Sequence, residues 1–407
     1  MKKLSAREAE PGARLSVTVD REETNRTNLA GARPTRQAVA RATRSSAATS
    51  PVGSSLSDFK LAEAGAKGVI PYLVDPIADP RWAQLIEHDP RASLFHSPGW
   101  LKALRDTYDF EPVALTTSAP SEQLANGVVF CEVKSWFTGN RLVSLPFSDH
   151  CEPLLRAGED PGEFAAVAGS DQWRYVELRP VDAAPAGRSG FREAEKFWLH
   201  RLDLSPSAEE IFRRFHNDCV RRKIRKAEKE HVVYEEGNNR ALLESFYQLL
   251  LRTRRRHRLP PQPKSWFRNL SKFLPESIKF RQASKDGQPI ASILTFSYKN
   301  KLMYKYGCSD ERYHKLGGMQ LLLWRAIQEA KDKNYSEFDL GRCERENVGL
   351  RMFKDRWGAT RSPLTYWRFR SGKFSAEHEH QFARRILRLC PPPLLELAGR
   401  SFYRHIA

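Results

Sequence analysis

The feature that most constrains this chain is a glycine pair, Gly317-Gly318, which stands between a strand-like run and a long helical pattern. Residues 301–307 read as a strand, and residues 316–331 carry apolar side chains at three- and four-residue spacing, which indicates a helix with one buried face. A helix that begins at two glycines leaves its first backbone N–H groups accessible at the positive end of its dipole. The segment therefore predicts a helix N-terminus that binds an anion such as a pyrophosphate.

Similar patterns predict further elements on both sides of the glycine pair. Strands are predicted at residues 69–74, 111–116, 124–133, 141–146, 232–235, 278–283, 290–298, 337–340 and 364–369. Helices are predicted from Asp79-Pro80 and Ser97-Pro98 onward, along a basic stretch from residue 205 to 230, and at residues 242–256 and 348–357. Lys299-Asn300 supplies a hairpin turn. The predicted fold class is α/β, with a mixed α+β sheet.

Three motifs in the second half of the chain resemble a known family. The loop reads His314-Lys315-Leu316-Gly317-Gly318-Met319, a departure from the Gln/Arg-x-x-Gly-x-Gly/Ala loop that binds acyl-coenzyme A in GNAT acetyltransferases. It is followed by Phe338-Asp339-Leu340-Gly341 and by a segment from Phe353 to Gly358, which is similar to the Fem-type branch of the superfamily. The resemblance covers residues 69–370 and implies an acyltransferase with two GNAT-like lobes in tandem, of which the C-terminal lobe carries the donor site.

The composition suggests where these lobes begin and end. Residues 1–67, rich in Ala, Arg, Ser and Thr, are predicted to be a disordered basic tail. We expect an N-terminal GNAT-like lobe at residues 68–200, a C-terminal acyltransferase lobe at 201–372 and a helical tail at 373–407. The tail includes an amphipathic, Arg-rich helix that suits loose contact with an anionic membrane.

The resemblance implies a donor, and the residues that hold it. The donor is acyl-CoA or, as in Fem relatives, aminoacyl-tRNA, and no metal is implied. His314, Lys315, Gly317, Gly318 and Met319 are the residues predicted to hold its phosphates.

Candidate catalytic residues follow the two strands beside this loop. Tyr304 and Tyr306 are expected to share one face of their strand, where either could orient substrate or donate a proton; the alternative is that both are core aromatics. Asp339 ends a strand, at the edge where open α/β sheets collect ligands, and could accept a proton or hold an ammonium group. A loop-capping role for Asp339 is the alternative.

Four further residues are candidates for binding the acceptor substrate. Asp149 and His150 follow an apolar strand in the first lobe, in a stretch that resembles Fem-like proteins of envelope polysaccharide systems. Arg342 and Lys354 could clamp anions, although exposure to solvent is the common fate of a helix lysine. Cys151 beside His150 could suggest thiol catalysis, but adjacent side chains on an extended chain point in opposite directions.

Charge leaves a second class of function open. The formal net charge is +18, with cationic clusters at residues 217–227 and 252–258, and favours anionic partners. The first hypothesis is an N-acyltransferase that acts on an amine of a small-molecule or lipid-linked envelope precursor; the alternative is a non-enzymatic protein that binds nucleic acid or an anionic membrane. The substitution Gly317→Glu is expected to abolish donor binding only in the enzyme.

The sequence predicts a cytoplasmic protein. Its six cysteines form no C-x-x-C pair, and it shows neither a secretory signal nor a long apolar run. Contact with the inner face of the membrane is left open.

Overall fold

The strand-like runs of the sequence assemble into one twelve-stranded mixed sheet, flanked by helices on both faces. The structure, a computed structural model, describes residues 71–135, 139–168, 173–183, 186–187, 190–370 and 403–405. All of these belong to one compact unit, residues 53–407. The tail predicted at residues 1–67 and nearly all of the helical tail predicted at 373–407 lie outside the described residues. None of the helices in the described ranges combines the length and the apolar content that a transmembrane span requires.

The first half of the chain forms short strands and capped helices. Its strands are β1 Tyr72–Val74, β2 Glu111–Thr116, β3 Val128–Val133, β4 Arg141–Val143 and β5 Val176–Leu178, and its helices are α1 Pro80–His88, α2 Pro98–Tyr108 and α3 Pro161–Ala168. The two predicted helix starts are confirmed, because Asp79 accepts a hydrogen bond from the backbone N–H of Arg81 and Ser97 from that of Trp100.

The second half contains the longer elements. Its strands are β6 Arg192–Asp203, β7 Val233–Gly237, β8 Ile278–Lys285, β9 Gln288–Tyr298, β10 Lys301–Ser309, β11 Glu337–Glu344 and β12 Thr360–Phe369. Its helices are α4 Ala208–Arg214, α5 Arg222–Lys229, α6 Arg240–His257, α7 Lys264–Phe273, α8 Gly318–Asp332 and α9 Val348–Asp355. Lys299 and Asn300 join β9 to β10, as predicted, and Lys299 adopts a positive φ of 51° in that turn.

Two predicted helices have different bounds in the structure. The basic helix expected from residue 205 to 230 is wrong as a continuous element, because it is divided into α4, a π-helical turn at Asn217–Arg221 and α5. The ring of Phe215 is buried at the break, and the backbone N–H of His216 bonds to the carbonyl of Arg356 instead of continuing the helix. The helix expected to begin at residue 316 begins at Gly318, after a 3₁₀ turn at Glu311–Leu316.

The sheet joins the two halves of the chain. Its strand order is β1-β2-β3-β4-β5-β12-β6-β11-β10-β9-β8-β7, and its neighbours are antiparallel except for the pairs β4 with β5 and β10 with β11. Each half therefore contributes one parallel pair. Strand β6 pairs with both β11 and β12, so the boundary predicted between residues 200 and 201 falls inside a strand.

The two faces of the second half of the sheet carry separate cores. Helices α2, α6 and α7 cover one face, which we call the α7 face, and contribute to a core that includes Phe296 and Met303. Helices α4, α5 and α8 cover the other, the α8 face, with Leu302 and Phe338 in its core. The mixed α/β fold predicted from the sequence is confirmed.

Candidate functional site

The two central parallel strands of the second half pair only briefly. β10 and β11 are in register at Lys301 with Glu337, Leu302 with Phe338 and Met303 with Asp339, and beyond this point the pairing ends. The strands then continue to Ser309 and Glu344 without further pairing between them. Their carboxyl ends therefore leave an unpaired gap, which exposes backbone groups of both strands to whatever enters it.

An irregularity in β10 changes which side chains face this gap. The register with β9 shifts between Tyr304 and Tyr306, so Lys305 is an extra residue that the partner strand does not match. Tyr304 packs against the core of the α8 face and Tyr306 belongs to that of the α7 face. The expectation that the two tyrosines share a face is wrong, because the bulge reverses the alternation after Lys305.

The two tyrosines consequently have different surroundings. Tyr306 is 8% exposed, and its hydroxyl accepts a hydrogen bond of 3.0 Å from Trp266 Nε1, so it packs as a core residue. The ring of Tyr304 lies over Gly307, where a Cβ would meet the tyrosine hydroxyl. Burial raises the pKa of both phenols, so each remains protonated at neutral pH.

Asp149 from the first half lies beside the gap. Its Oδ1 is 2.8 Å from Lys305 Nζ and 3.7 Å from Arg342 Nε. Its other oxygen lies beside Gly341, where a Cβ would be only 2.8 Å from Oδ2, and Gly341 has a φ of +75°. Asp149 and Arg342 were predicted as substrate-binding residues. Lys305 was not, since its only mark in the sequence is its position between two tyrosines of a strand.

The charges of this group depend on one another. Burial raises the pKa of Asp149, but the Lys305 and Arg342 cations outweigh it, so the pKa lies below its usual value and the group is a carboxylate. Burial lowers the pKa of Lys305, and the Asp149 carboxylate opposes this in part. Lys305 is therefore a buried amine, and the Asp149 carboxylate beside it favours its charged form.

His150 and Asp339 form a second pair next to the first. His150 Nε2 lies 3.0 Å from Asp339 Oδ2, and the Oδ1 of Asp339 accepts a 2.6 Å hydrogen bond from the backbone N–H of Gly341. Both residues line a cavity of about 660 Å³. Its lining combines apolar side chains, such as Leu94, Phe296 and Met303, with charged ones, which include Arg91, Arg201, Lys301 and Glu337.

A buried ionic network holds the loop that carries Asp149 and His150. Arg179 Nη1 donates to the carbonyls of Leu145 at 2.7 Å and Ser148 at 3.3 Å, and Arg179 is itself paired with Glu177. Tyr366 of β12 donates to the carbonyl of Asp149 at 2.8 Å. Although burial raises the pKa of Glu177, its two arginine partners, Arg368 and Arg179, lower it to about 2, so the network is fully ionised at neutral pH.

Lys354 occupies a position that the sequence did not suggest. It is 3% exposed, and its Nζ donates to the carbonyls of Gly341 and Arg342, both at 2.8 Å. These bonds satisfy two carbonyls of β11 where the strand leaves its partner. The described contacts thus tie helix α9 to the site, and the ammonium group reaches backbone oxygens rather than the surface expected of a helix lysine.

The N-terminus of α8 opens on a separate cavity of about 300 Å³. His314, Gly318 and Met319 line it, together with Lys223 of α5 and Phe353 of α9. Lys223 Nζ donates to the carbonyl of His314 at 3.1 Å, which places its ammonium group at the same rim. The cavity therefore combines backbone N–H groups of a helix start with nearby cations, the environment that favours an anion.

Two of the predicted donor residues lie outside this cavity lining. Lys315 is exposed in the 3₁₀ turn, and Gly317 is buried with a φ of +79°. A Cβ on Gly317 would lie 2.3 Å from the carbonyl oxygen of Lys223. Gly317 is therefore required by the close approach of α5 to α8, so Gly317→Glu would disturb packing as well as any donor site.

The cysteine beside His150 is not set up as a nucleophile. The Sγ of Cys151 lies 3.3 Å from Nε2 of buried His96. Burial raises the pKa of Cys151 to about 12 and lowers that of His96 to about 4, so both groups remain neutral at pH 7. Within the described ranges, no group of three His, Cys, Asp or Glu side chains is arranged to hold a metal ion.

The site therefore combines a parallel strand pair that diverges, a helix N-terminus and two cavities. Residues 213–354 match the family model described as an acetyltransferase (GNAT) domain. The second half of the chain is thus similar to the GNAT acetyltransferases over residues 213–354, the part of the chain that carries the motifs. No curated protein sequence matches the chain at a significant level.

Three solved structures are similar to this chain at low sequence identity. The crystal structure of FemX superposes with a TM-score of 0.59 at 11% identity, and covers 78% of this chain and 100% of that one. A tandem GNAT protein from the clavulanic acid biosynthesis pathway gives 0.47 at 11% identity, covering 75% and 100%. L-PGS from Bacillus licheniformis gives 0.44 at 15% identity, covering 64% and 85%. The likeness to FemX confirms the Fem-like fold that the motifs predicted.

Proposed function

We propose that the chain is an N-acyltransferase that moves an acyl group from acyl-CoA to an amine of a cell-envelope sugar or peptide precursor. The observation that carries the proposal is the unpaired part of β10 beside β11, because it runs from Met303, which lines the 660 Å³ cavity, to Ser309, which lines the cavity at the α8 N-terminus. One cavity suits phosphates and the other suits an acceptor. The reaction would take place between them.

The donor phosphates bind at the start of α8 in this proposal. His314, Gly318, Met319 and Lys223 form that end, with Lys315 near it on the surface. Ser309, at this cavity, and Met303, at the other, are six positions apart on β10, a distance of about 20 Å along a strand. A donor that reaches both must have a long, narrow arm between its phosphates and its acyl group, as coenzyme A thioesters do.

The acceptor enters from the larger cavity. The size of about 660 Å³ suits a small molecule or the end of a larger one. The apolar lining at Leu94 and Phe296 suits an acceptor with an apolar portion beside its amine, while His150 and Asp339 supply polar contacts. A lipid-linked precursor could present its amine here from a membrane surface.

The reacting groups meet beside the Asp149 cluster. The amine nitrogen attacks the acyl carbonyl carbon, and the bond to the thiolate sulfur breaks. Arg342 and Lys305 lie where a developing oxyanion would be stabilised, with Asp149 holding both. Tyr304, protonated because burial raises its pKa, can donate its proton to the leaving sulfur, and Lys354 positions β11. Tyr306 has a packing role.

Aminoacyl-tRNA is the second candidate donor. Two cationic side chains are near the donor cavity: Lys223 of α5 lines it, and Arg256 at the end of α6 donates to the carbonyl of Ser309, another lining residue, at 3.4 Å. An extended cationic surface can bind a polynucleotide, and such binding weakens steeply with salt. An acyl-CoA needs only the part of this surface close to His314.

Comparing the two donors tests the proposal. Initial rates of transfer from acetyl-CoA and from a set of aminoacyl-tRNAs would be measured with 2-phenylethylamine, glycinamide and a UDP-linked amino sugar as acceptors. Transfer from acetyl-CoA supports the proposal as stated. Transfer from aminoacyl-tRNA alone, with a steep salt dependence, would replace the donor by the second candidate. The absence of transfer from both donors to all acceptors would contradict it.

A further inference from the structure

The ring of His150 is held in one orientation at the cavity wall. Its Nε2 lies 3.0 Å from Asp339 Oδ2, and the ring packs edge-on against Phe95 with 5.7 Å between centroids. Its side chain is 15% exposed, so one edge reaches the 660 Å³ cavity. Within the described ranges, no group hydrogen bonds with the second ring nitrogen, Nδ1.

The hydrogen bonds of Asp339 determine which ring nitrogen carries the proton. An ionised carboxylate only accepts hydrogen bonds, so Nε2 must be the donor when His150 is neutral. The lone pair of the ring is then on Nδ1. Asp339 cannot turn away easily, because its Oδ1 accepts from the backbone N–H of Gly341 at 2.6 Å. A neutral His150 thus has its basic nitrogen, Nδ1, without a hydrogen bond to any described residue, while its Nε2 is fixed by Asp339.

We propose that His150 is the general base that removes the proton from the acceptor amine, and that Asp339 fixes its tautomer. This inference rests on the proposed function, since it concerns the acceptor in that reaction. As the amine nitrogen bonds to the carbonyl carbon, its proton passes to Nδ1, and the electron pair of the breaking bond leaves with the donor sulfur. Histidine is the side chain that most often performs this step in enzymes. His150 was predicted only to bind substrate, so the structure assigns it a different role.

Several charged groups surround this dyad and will shape its pH dependence. Those on its own loop are Asp149 and Glu152, and buried His96 faces it from the preceding helical turn. From the sheet, Asp339, Glu337, Lys301, Lys305 and Arg201 lie in or beside the same cavity. The test therefore compares variants with the wild type instead of relying on an absolute pH value.

The hydrogen bonds of Asp339 make Asp339→Asn a specific test. An asparagine at this position must keep its oxygen towards the Gly341 N–H, so its NH₂ group faces His150 Nε2. That contact requires His150 to accept at Nε2 and to carry its proton on Nδ1, which is the wrong tautomer for a base that faces the cavity. The change removes one charge and little volume.

The matched variants separate this role from simple packing. His150→Gln can still donate an N–H to Asp339 but has no basic lone pair. The control is His200→Gln, because His200 Nε2 lies 3.1 Å from Asp355 Oδ1 in a similar dyad, away from both cavities. Activity would be measured with acetyl-CoA and two probe amines, 2-phenylethylamine and glycinamide, as kcat and kcat/KM from pH 5 to 10. His150→Ala would be tested with added imidazole.

The variants are expected to differ in kcat and in the pH dependence of kcat/KM. His150→Gln and Asp339→Asn lower kcat by about 10²-fold or more, with little change in the KM for acetyl-CoA. In a plot of log kcat/KM against pH, the wild type rises with unit slope on the acidic side, as one titrating group gives, and His150→Gln lacks this rise. Added imidazole partly restores the activity of His150→Ala. His200→Gln leaves the profile unchanged. If the wild type transfers the acyl group and the pH profile of His150→Gln is unchanged, the proposal that His150 is the base is wrong, and the proposal of acyltransferase activity stands. Failure of the wild type with both donors and with all three acceptors named above would overturn both.

Discussion

Asp149 and Gly341 lie so close together that a Cβ on Gly341 would be 2.8 Å from the Asp149 Oδ2. One residue belongs to a loop of the first half and the other to strand β11 of the second. Their contact brings the Asp149 carboxylate to the edge of the gap between β10 and β11, within 2.8 Å of Lys305 Nζ. Neither half of the chain therefore forms the candidate site by itself.

The Gly341 contact can be separated from backbone strain. Gly341→Ala is expected to lower both activity and the free energy of unfolding, because a methyl group would displace the Asp149 carboxylate. Gly287→Ala is the matched control, since Gly287 has the same φ of +75° but nothing within 4 Å of its added Cβ. Gly287→Ala should lower the free energy of unfolding by about 1 kcal/mol, because alanine is strained in the left-handed backbone conformation, and should leave kcat unchanged. Urea unfolding measures the stability and initial rates measure the activity of each variant. Equal effects of the two substitutions would show that the contact is unimportant.

The Asp149 to Lys305 ion pair should be strongly coupled. Their side chains are 14% and 7% exposed, so removal of one partner leaves a poorly solvated charge. We expect Asp149→Asn to lower the free energy of unfolding by about 3 kcal/mol, and the double variant with Lys305→Met to recover part of this loss. A double-mutant cycle measured by urea unfolding gives the coupling. The control is the ion pair of Asp218 and Arg222, which has a similar distance of 2.9 Å between Oδ1 and Nη1. Because its side chains are 61% and 70% exposed, it should show a much smaller coupling energy.

Arg179 is expected to act on the reaction through the loop at residues 144–151. Arg179→Met removes the donors to the carbonyls of Leu145 and Ser148, so the loop should lose the position that presents Asp149 and His150. We predict a fall in kcat of about 10-fold or more, because small misplacements of reacting groups are costly. Stabilisation by coenzyme A should persist, since its cavity is elsewhere. Arg81→Met is the control, because Arg81 also ties a loop through carbonyls, at Ala119, Pro120 and Glu122, but away from the site. A normal kcat in Arg179→Met would contradict the positioning role.

His96 should make the fold sensitive to acid. Burial lowers its pKa from 6.5 to about 4 in the folded chain, so between these values the unfolded chain binds a proton that the folded chain does not. The free energy of unfolding should therefore decrease as the pH falls from 6.5 towards 4, by about 3 kcal/mol from this group. His96→Gln should remove that component when unfolding is followed by urea titration at several pH values. The same substitution at exposed His88 serves as the control. A wild-type slope retained in His96→Gln would assign the acid sensitivity to other groups.

Local chemistry explains which parts of the fold could be predicted. Asp79, Ser97 and Ser207 cap helices because their side-chain oxygens meet N–H groups two or three residues ahead, a relationship visible in the sequence. The break between α4 and α5 was missed because it depends on a contact from His216 to Arg356, far away in the chain. Strand β6 was missed because four of its five exposed residues are charged, and its pairing with β11 and β12 is not a local property.

The sequence indicated candidate residues but not their geometry. Asp149, His150, Asp339 and Arg342 were predicted as site residues, and the structure places the four close together, while their roles stay predictions. The bulge at Lys305 could not be inferred, since it reverses a regular alternation that the sequence otherwise follows. The role of Gly317 could not be inferred either, because its steric partner is a backbone carbonyl of Lys223 on another helix.

The proposed reaction depends on binding of the donor at the N-terminus of α8. The most direct measurement is the shift in Tm caused by coenzyme A in the wild type, in Met319→Trp and in Arg325→Trp. Met319 lines the donor cavity, whereas Arg325 lies on an exposed face of the same helix. The account predicts that a saturating ligand raises the Tm of the wild type and of Arg325→Trp by several degrees, and that Met319→Trp shows no shift because the indole fills the cavity. An equal shift in all three proteins, or none in the wild type, would contradict a donor site at this helix.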